Sequence, residues 1–139
     1  MPFVNVYYPE YRLNNNELKK VSNSIHQSLI EHFQIPEDDY FQLFLPYSSH
    51  QFFYDSQYLL ENGRKRTDKM IYISITCGKG RTIEQKKNLY QSIAQSLHNH
   101  SNVTINDIFI TLNETSAENW SFGQGIAQMV NLREGGKIK

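Results

Sequence analysis

The sequence has a single cysteine, no net charge and no long apolar run. With only Cys77, one chain can form neither an internal disulfide nor a thiolate metal cluster, and a reducing compartment is expected. The 14 basic and 14 acidic residues balance, so no overall field attracts nucleic acid or an anionic membrane. No apolar stretch is long enough to span a bilayer, and residues 1–16 lack the features of a signal peptide. We therefore expect a cytoplasmic protein without nucleic-acid or membrane partners.

The first part of the chain predicts a strand, a helix and a second strand. Residues 3–8 are β-branched and aromatic and stop at a proline, which is typical of a strand closed by a turn. An amphipathic helix follows, because apolar side chains recur every three or four residues at Leu18, Val21, Ile25, Leu29 and Phe33. Pro36 ends this helix, an acidic turn follows, and residues 40–45 predict the second strand.

The second half predicts the same order of elements. Residues 70–76 alternate as a half-buried strand does. Thr82 and Gln85 have the spacing of a capping box, which starts a helix running to about residue 100, and residues 108–112 predict another strand. A duplicated unit is therefore indicated.

The spacing of the two units supports duplication. The strand starts at Phe3 and Met70 lie 67 residues apart, as do Phe41 and Ile108. A chain of 139 residues suits one domain. We predict an α/β (α+β) fold in a single domain, with two β-α-β units forming a four-stranded mixed sheet and both helices on one face; the units cover about 2–46 and 69–113. The uncovered face and the many aromatic residues predict an oligomer.

Two segments lie outside the repeat. Residues 47–69 mix aromatic side chains with a basic cluster at 64–66, and we expect a short strand and a loop there. The basic cluster is interpreted as a solvated loop, with one arginine as a candidate for the mouth of a pocket. For the tail, about 123–139, we expect a hairpin that contacts a neighbouring chain.

The first residues carry the main candidate for chemistry. If Met1 is removed, Pro2 has a free secondary amine that can take up and release protons. Nearby cations would lower its pKa toward neutrality. The alternative is that Met1-Pro2 merely begins a strand.

The chain resembles the tautomerase superfamily, whose enzymes use an N-terminal proline. The resemblance rests on the Met-Pro start, the repeated β-α-β unit and the arginine before the second helix. Within the superfamily the chain is most similar to the malonate semialdehyde decarboxylase-like group, in the stretches Arg81-Thr82-Ile83-Glu84-Gln85-Lys86 and Glu118-Asn119-Trp120-Ser121-Phe122-Gly123-Gln124-Gly125. The resemblance covers Pro2 to about Gln128 and implies a homotrimer that acts without a cofactor on a small carboxylate.

The resemblance also implies a set of site residues. Pro2 matches the catalytic proline and Asp39 the active-site aspartate. Arg81 matches the second of two substrate-binding arginines, while the first is replaced by Lys79 and the intervening proline by Gly80. Lysine is a flexible point charge and lacks the planar fork of arginine, so the grip on a carboxylate differs. The resemblance further implies an aromatic pocket wall formed by Trp120 and Phe122.

These residues support two kinds of reaction and one non-catalytic role. Beside Lys79 and Arg81, a neutral Pro2 amine suits keto-enol tautomerisation, in which the cations stabilise an enolate or carboxylate. If Asp39 outweighs the cations, a protonated amine suits decarboxylation or hydration of a 3-oxo acid such as malonate semialdehyde. A binding module on the same fold is the alternative if Met1 stays attached. The five scattered histidines have no zinc spacing, so we expect no metal.

Overall fold

The computed structural model describes residues 1–135, with side chains described through Leu132. The strands and main helices follow the predicted order closely. In chain order they are β1 (Phe3–Pro9), α1 (Asn15–Phe33), β2 (Gln42–Tyr47), β3 (Ile71–Gly78), α2 (Ile83–Ser101), β4 (Ile108–Thr115) and α3 (Gln128–Gly135).

Both long helices begin with a capping box. The Asn14 side chain accepts from the backbone of Glu17, whose carboxylate accepts in return from the Asn14 N–H. Thr82 and Gln85 make the same reciprocal pair at the start of α2. The predicted capping box is therefore present, and α1 and α2 have the same length of 19 residues.

The sheet has the strand order β2-β1-β3-β4. Strand β1 runs parallel to β2, and β3 runs parallel to β4, as the crossover helix within each unit requires. The two units meet where β1 pairs with β3 in the antiparallel direction, with Phe3 opposite Thr76. The predicted fold class, a mixed four-stranded sheet of duplicated β-α-β units, is confirmed.

The core lies between the sheet and the two helices. Alternate strand residues face the helices and are almost fully buried, including Val4, Val6, Ile71, Ile73 and Ile75. The helices supply Val21, Ile25, Leu29, Leu89, Ile93 and Leu97. The helices also touch each other through a 2.8 Å hydrogen bond between the hydroxyls of Ser28 and Ser92. Burial of these faces explains why the sheet carries both helices on the same side.

The opposite face of the sheet carries apolar side chains in contact with solvent. Because side chains alternate along a strand, the residues between the buried ones point away from the helices. Phe3, Leu43 and Phe109 lie on this face and are 37–49% exposed. Tyr7 stacks on Tyr72 there, with ring centroids 5.4 Å apart. This apolar surface is the open face of the sheet.

Two sequence predictions were wrong. Over the described part of the tail the chain forms helix α3, not a hairpin, and Gln128, Met129 and Leu132 favour a helix there; residues 136–139 lie outside the description. Between Tyr47 and Ile71 the structure contains a 3-10 turn at Ser49–Gln51 and no strand. There the aromatic side chains pack on one another, as in the 4.7 Å Phe52–Tyr54 pair, and the backbone joins no ladder. None of the helices in residues 1–135 is both long and apolar enough to cross a membrane.

Candidate active site

Strand directions bring four chain segments to one end of the sheet. Since β1 is antiparallel to β3, the start of β1 lies beside the end of β3. The start of β2 and the end of β4 join them, because each is parallel to its neighbour. Pro2, the turn holding Asp39, the turn after β3 and the segment after β4 therefore meet there. The sequence-predicted site residues come from these four segments.

Asp39 lies against the chain terminus. Its carboxylate Oδ2 is 2.8 Å from the terminal nitrogen of Met1, and each of the two side chains is less than 15% exposed. The other oxygen, Oδ1, is buried and has no hydrogen-bond partner in the described part of the chain. Pro2 follows directly and is buried at the head of β1. The terminus therefore faces a carboxylate that keeps one acceptor open.

Arg81 is fixed in the turn between β3 and α2. Its guanidinium donates to the carbonyls of Gly78 and Phe33, both at 3.2 Å, and its Cζ lies 4.8 Å above the Phe33 ring. A Cβ atom at Gly78 would collide with the Met1 side chain and lie 3.7 Å from Arg81 Nη1. The absence of a side chain at Gly78 thus lets the terminus and the guanidinium approach the same strand end.

Lys79 is exposed at the edge of the same turn. The first turn of α2, which follows it, is tied to β4 by Glu114, whose carboxylate accepts a 2.8 Å bond from Lys86 Nζ. The Lys86 hydrogen bond and charge lower the pKa of Glu114, and the backbone N–H of Gly80 and the charge of Lys79 act in the same direction. Glu114 therefore anchors the cationic turn, a role the sequence did not indicate.

Aromatic side chains form one wall at this end. Trp120 stacks on Phe122 with centroids 5.6 Å apart, and Phe122 meets Phe41 edge-on at 5.7 Å. The Trp120 indole N–H is buried with no acceptor among residues 1–135. An open cleft of about 360 Å³ runs beside it, lined by Phe3, Thr76, Thr115, Asn119 and Trp120. The wall thus combines apolar surface with an indole N–H that has no hydrogen-bond acceptor among the described residues.

Two further residues near the site were not recognised from sequence. His26 is 3% exposed on α1 and contacts the turn that carries Asp39. Its position between Ile25 and Leu29 on the apolar helix face was the available signal. Cys77 is buried beside the turn; burial raises the pKa of its thiol, and the charges of Arg81 and the chain terminus oppose that effect.

The arrangement can bind an anion and move a proton. A guanidinium with a lysine beside it suits a carboxylate or an enolate oxygen, and a terminal amine paired with a carboxylate suits proton transfer. Among the described residues no three His, Cys, Asp or Glu side chains lie close enough together to hold a metal ion.

A duplicated β-α-β domain that gathers a penultimate proline, an aspartate and an arginine at one sheet end has the architecture of the tautomerase superfamily. The model of a family described as "Tautomerase enzyme" matches residues 39–123, and a second model with the same description matches residues 2–45. The chain belongs to the tautomerase family.

Individual relatives agree with this assignment. The chain is 47% identical over 130 residues to "Probable tautomerase YusQ" of Bacillus subtilis (strain 168), covering 94% of this chain and 99% of that protein. Among solved structures, FG41 malonate semialdehyde decarboxylase inhibited by 3-bromopropiolate is 27% identical with a TM-score of 0.85, covering 94% and 96% of the two chains. A second malonate semialdehyde decarboxylase, at 20% identity, shares the fold with a TM-score of 0.84 over 93% and 96%.

Proposed function

We propose that this protein is a cofactor-independent enzyme that interconverts the keto and enol forms of a small 2-oxo carboxylate. Pro2, exposed as the terminal residue after removal of Met1, carries the proton between the two substrate atoms. Arg81 binds the carboxylate, and Lys79 adds a second positive charge at the outer edge. The aromatic wall of Trp120 and Phe122 excludes water from the reacting carbons.

The observation that carries this proposal is the shared position of the terminus and the guanidinium. The Met1 side chain fills the space over Gly78, and Arg81 Nη1 borders that space. Loss of Met1 would both empty this space and place the new terminal amine at Pro2. A carboxylate bound by Arg81 there lies next to a base, which is the geometry that proton transfer needs.

Decarboxylation or hydration of a 3-oxo acid is the second candidate, and the Asp39 contact favours it. The carboxylate reaches the nitrogen of Met1, directly before Pro2, at 2.8 Å, so that after loss of Met1 a negative charge would lie near the new terminal amine. A protonated Pro2 would polarise the substrate carbonyl and serve as an acid. The similarity to a malonate semialdehyde decarboxylase supports the same chemistry, whereas Lys79 in place of an arginine weakens the bidentate grip.

We further propose that the chain works as a homotrimer that covers the open face of the sheet. Phe3, Leu43 and Phe109 expose apolar area on that face, and exposed patches of this kind mark contact surfaces. Sedimentation equilibrium should give three times the chain mass of 16.3 kDa. A monomer at micromolar concentration would overturn this assembly.

The catalytic proposal is tested by mass and by proton NMR on the same sample. Intact mass should show that Met1 is gone. The protein is then mixed separately with phenylenolpyruvate and with malonate semialdehyde. Pro2→Ala should lower turnover by about a hundredfold, since positioned acid-base catalysis contributes at least that much. Pro46→Ala, in β2, is the matched proline control and should leave turnover unchanged.

The outcomes separate the candidates. Proline-dependent ketonisation of phenylenolpyruvate supports the tautomerase, and proline-dependent loss of carbon dioxide from malonate semialdehyde supports the decarboxylase. A mature chain that retains Met1, or Pro2→Ala with full activity, contradicts both. That result would leave a binding module on the same fold as the remaining alternative.

A further inference from the structure

We propose that His26 is a positioning residue that holds the Asp39 carboxylate at the terminal amine. The inference rests on the proposed role of Asp39 and extends it to α1, which holds none of the site residues that the resemblance implies. Asp39 lies on a short turn between α1 and β2, and a carboxylate on a turn keeps its place only if the turn is held from outside.

The His26 imidazole is buried and forms a hydrogen bond with this turn. His26 Nε2 lies 2.7 Å from the carbonyl oxygen of Glu37, two residues before Asp39. A carbonyl oxygen can only accept, so Nε2 carries the proton and donates it. The histidine is 3% exposed, and a buried polar group that loses its partner costs free energy. The bond is therefore strongly favoured in the folded state.

The His26 ring also contacts the turn on the other side of Asp39. It stacks on Tyr40, the residue after Asp39, with centroids 4.0 Å apart. The Tyr40 hydroxyl is bonded to the Ser22 hydroxyl on the preceding turn of α1, and Gln42 Nε2 donates to the Ser22 carbonyl at 3.2 Å. Contacts at Glu37 and Tyr40 thus bracket Asp39 on both sides.

The turn has few internal contacts of its own. Its backbone bonds run from Asp39 N–H to the Pro36 carbonyl at 3.1 Å and from Tyr40 N–H to the Asp38 carbonyl at 2.9 Å. Both span at most three residues, so they shape the turn without fixing it to the domain. Helix α1, with its buried core face, supplies that fixed point. His26 connects it to the turn at Glu37, and the Ser22–Tyr40 hydrogen bond adds a second link.

The charged groups around the carboxylate do not replace this connection. The chain terminus, Arg81 and Lys79 approach this end of the sheet from β1 and from the turn after β3, and Glu114 from β4. Glu37 and Asp38 belong to the turn itself and carry the same charge as Asp39. Repulsion within the acidic turn therefore makes an external anchor more important.

Amide hydrogen exchange tests the connection without reference to activity. In the processed protein, His26→Phe keeps an aromatic ring against Tyr40 but removes the donor, and exchange at the Asp39 and Tyr40 amides should accelerate about tenfold, as loss of one hydrogen bond of about 1.4 kcal/mol implies. His26→Gln places an N–H donor at a similar reach and should stay within about threefold of the parent. His98→Phe removes a 3.1 Å histidine bond to the Val103 carbonyl at the other end of the sheet and is the matched control.

Kinetics test whether the connection acts through Asp39. His26→Phe should lower kcat about tenfold with little change in KM, His26→Gln should restore it, and His26→Phe should have no further effect in an Asp39→Asn background. Equal amide exchange in all variants, or losses that simply add in the double variant, would overturn the proposal. If Asp39→Asn itself leaves turnover intact, the proposed role of Asp39 fails, while the exchange experiment still decides whether His26 holds the turn.

Discussion

The two ends of the sheet are built from equivalent positions of the repeat, yet they differ sharply. Helices α1 and α2 begin at Asn15 and Ile83 and end at Phe33 and Ser101, a constant offset of 68 residues, one more than the offset of 67 that the sequence indicated for the strands. The same offset relates Asp39 to Asp107. The antiparallel pairing of β1 with β3 places these two aspartates at opposite ends of the sheet. The comparison therefore contrasts one fold position in two environments.

Asp107 is a fully satisfied structural carboxylate. It is 0% exposed and accepts from the Thr67 N–H at 2.7 Å, the Thr67 hydroxyl at 2.7 Å and the Thr104 hydroxyl at 2.8 Å. Asp39 has the chain terminus as its partner and leaves Oδ1 without a donor in the described residues. Asp107 therefore has three donors from Thr67 and Thr104, whereas Asp39 keeps one oxygen open among the described residues.

The aromatic pairs repeat the contrast. Trp120 and Phe122 correspond by the same offset to Phe52 and Tyr54, which meet edge-on at 4.7 Å. The Tyr54 hydroxyl is committed to the Thr67 carbonyl, while the Trp120 indole N–H keeps no acceptor in residues 1–135. The difference teaches that a duplicated fold supplies two similar frames whose polar groups are paired to different extents in the described residues.

The largest expected effect on stability comes from replacing each aspartate by asparagine, which turns a charged carboxylate into a neutral amide. Asp107→Asn should lower the free energy of unfolding by about 2 kcal/mol, because a carboxylate that accepts three bonds becomes an amide with one acceptor. Asp39→Asn should cost less, about 1 kcal/mol, because it changes one ion pair and keeps an acceptor oxygen at the same place. Urea unfolding at one fixed protein concentration measures both.

Activity should show the opposite order. Asp39→Asn should change turnover by about tenfold or more, and Asp107→Asn should leave turnover of the folded fraction nearly unchanged. Equal effects of the two substitutions on both stability and turnover would break the comparison, because it would mean that neither position is specialised.

Much of this frame follows from sequence patterns, since burial periodicity and capping residues act locally. The capping box at the start of α2, all four strands and the class of sheet were predicted within a few residues, whereas the Asn14–Glu17 box at the start of α1 was found only in the structure. The tail was misassigned because two glycines suggested a turn, while the intervening residues favour a helix. The aromatic run at 52–58 predicts a strand by composition, but its rings pack against each other.

The candidate site was likewise predicted in part from the sequence. Pro2, Asp39, Arg81, Lys79, Trp120 and Phe122 were named from the resemblance, and the strand directions bring their segments to one sheet end. His26 and Glu114 were not identified from the sequence because their importance depends on partners distant along the chain. The partner of His26 is the Glu37 carbonyl, and that of Glu114 is the Lys86 ammonium. No local pattern encodes such long-range pairs.

Substitutions of the two cations of the site, Arg81 and Lys79, should have effects of intermediate size and sharpen the comparison of the two units. Arg81 corresponds by the offset to Leu13 in the first unit, so Arg81→Leu gives the second unit the apolar residue of the first. It should raise KM for a carboxylate substrate about tenfold, since it removes a charge-assisted pair of about 1.4 kcal/mol. Lys79→Met removes the exposed cation and should raise KM no more than about threefold. Steady-state kinetics at fixed ionic strength compares them, and a larger effect at Lys79 would move the carboxylate site outward from Arg81.

The smallest expected effect concerns Glu114, which has Pro46 at the corresponding position of the first unit. The Lys86 bond lowers the pKa of Glu114 below its ordinary value of 4.5. A carboxyl with a depressed pKa stabilises the fold above its unfolded value and loses that contribution as pH falls through the folded value. Glu114→Gln should therefore lower Tm slightly at neutral pH; the difference should begin to shrink as pH drops below 4.5 and should vanish once the pH is below the lowered pKa of the folded state.

Lys86→Met provides the matched test of that cause. It leaves the Gly80 N–H on Glu114 but removes the ammonium, so most of the pH-dependent difference should disappear in this background. If the Tm difference between Glu and Gln at position 114 persists at low pH, charge is not its origin. The effect would then come from packing of the side chain against the turn, and the contrast with Pro46 would concern shape instead of charge.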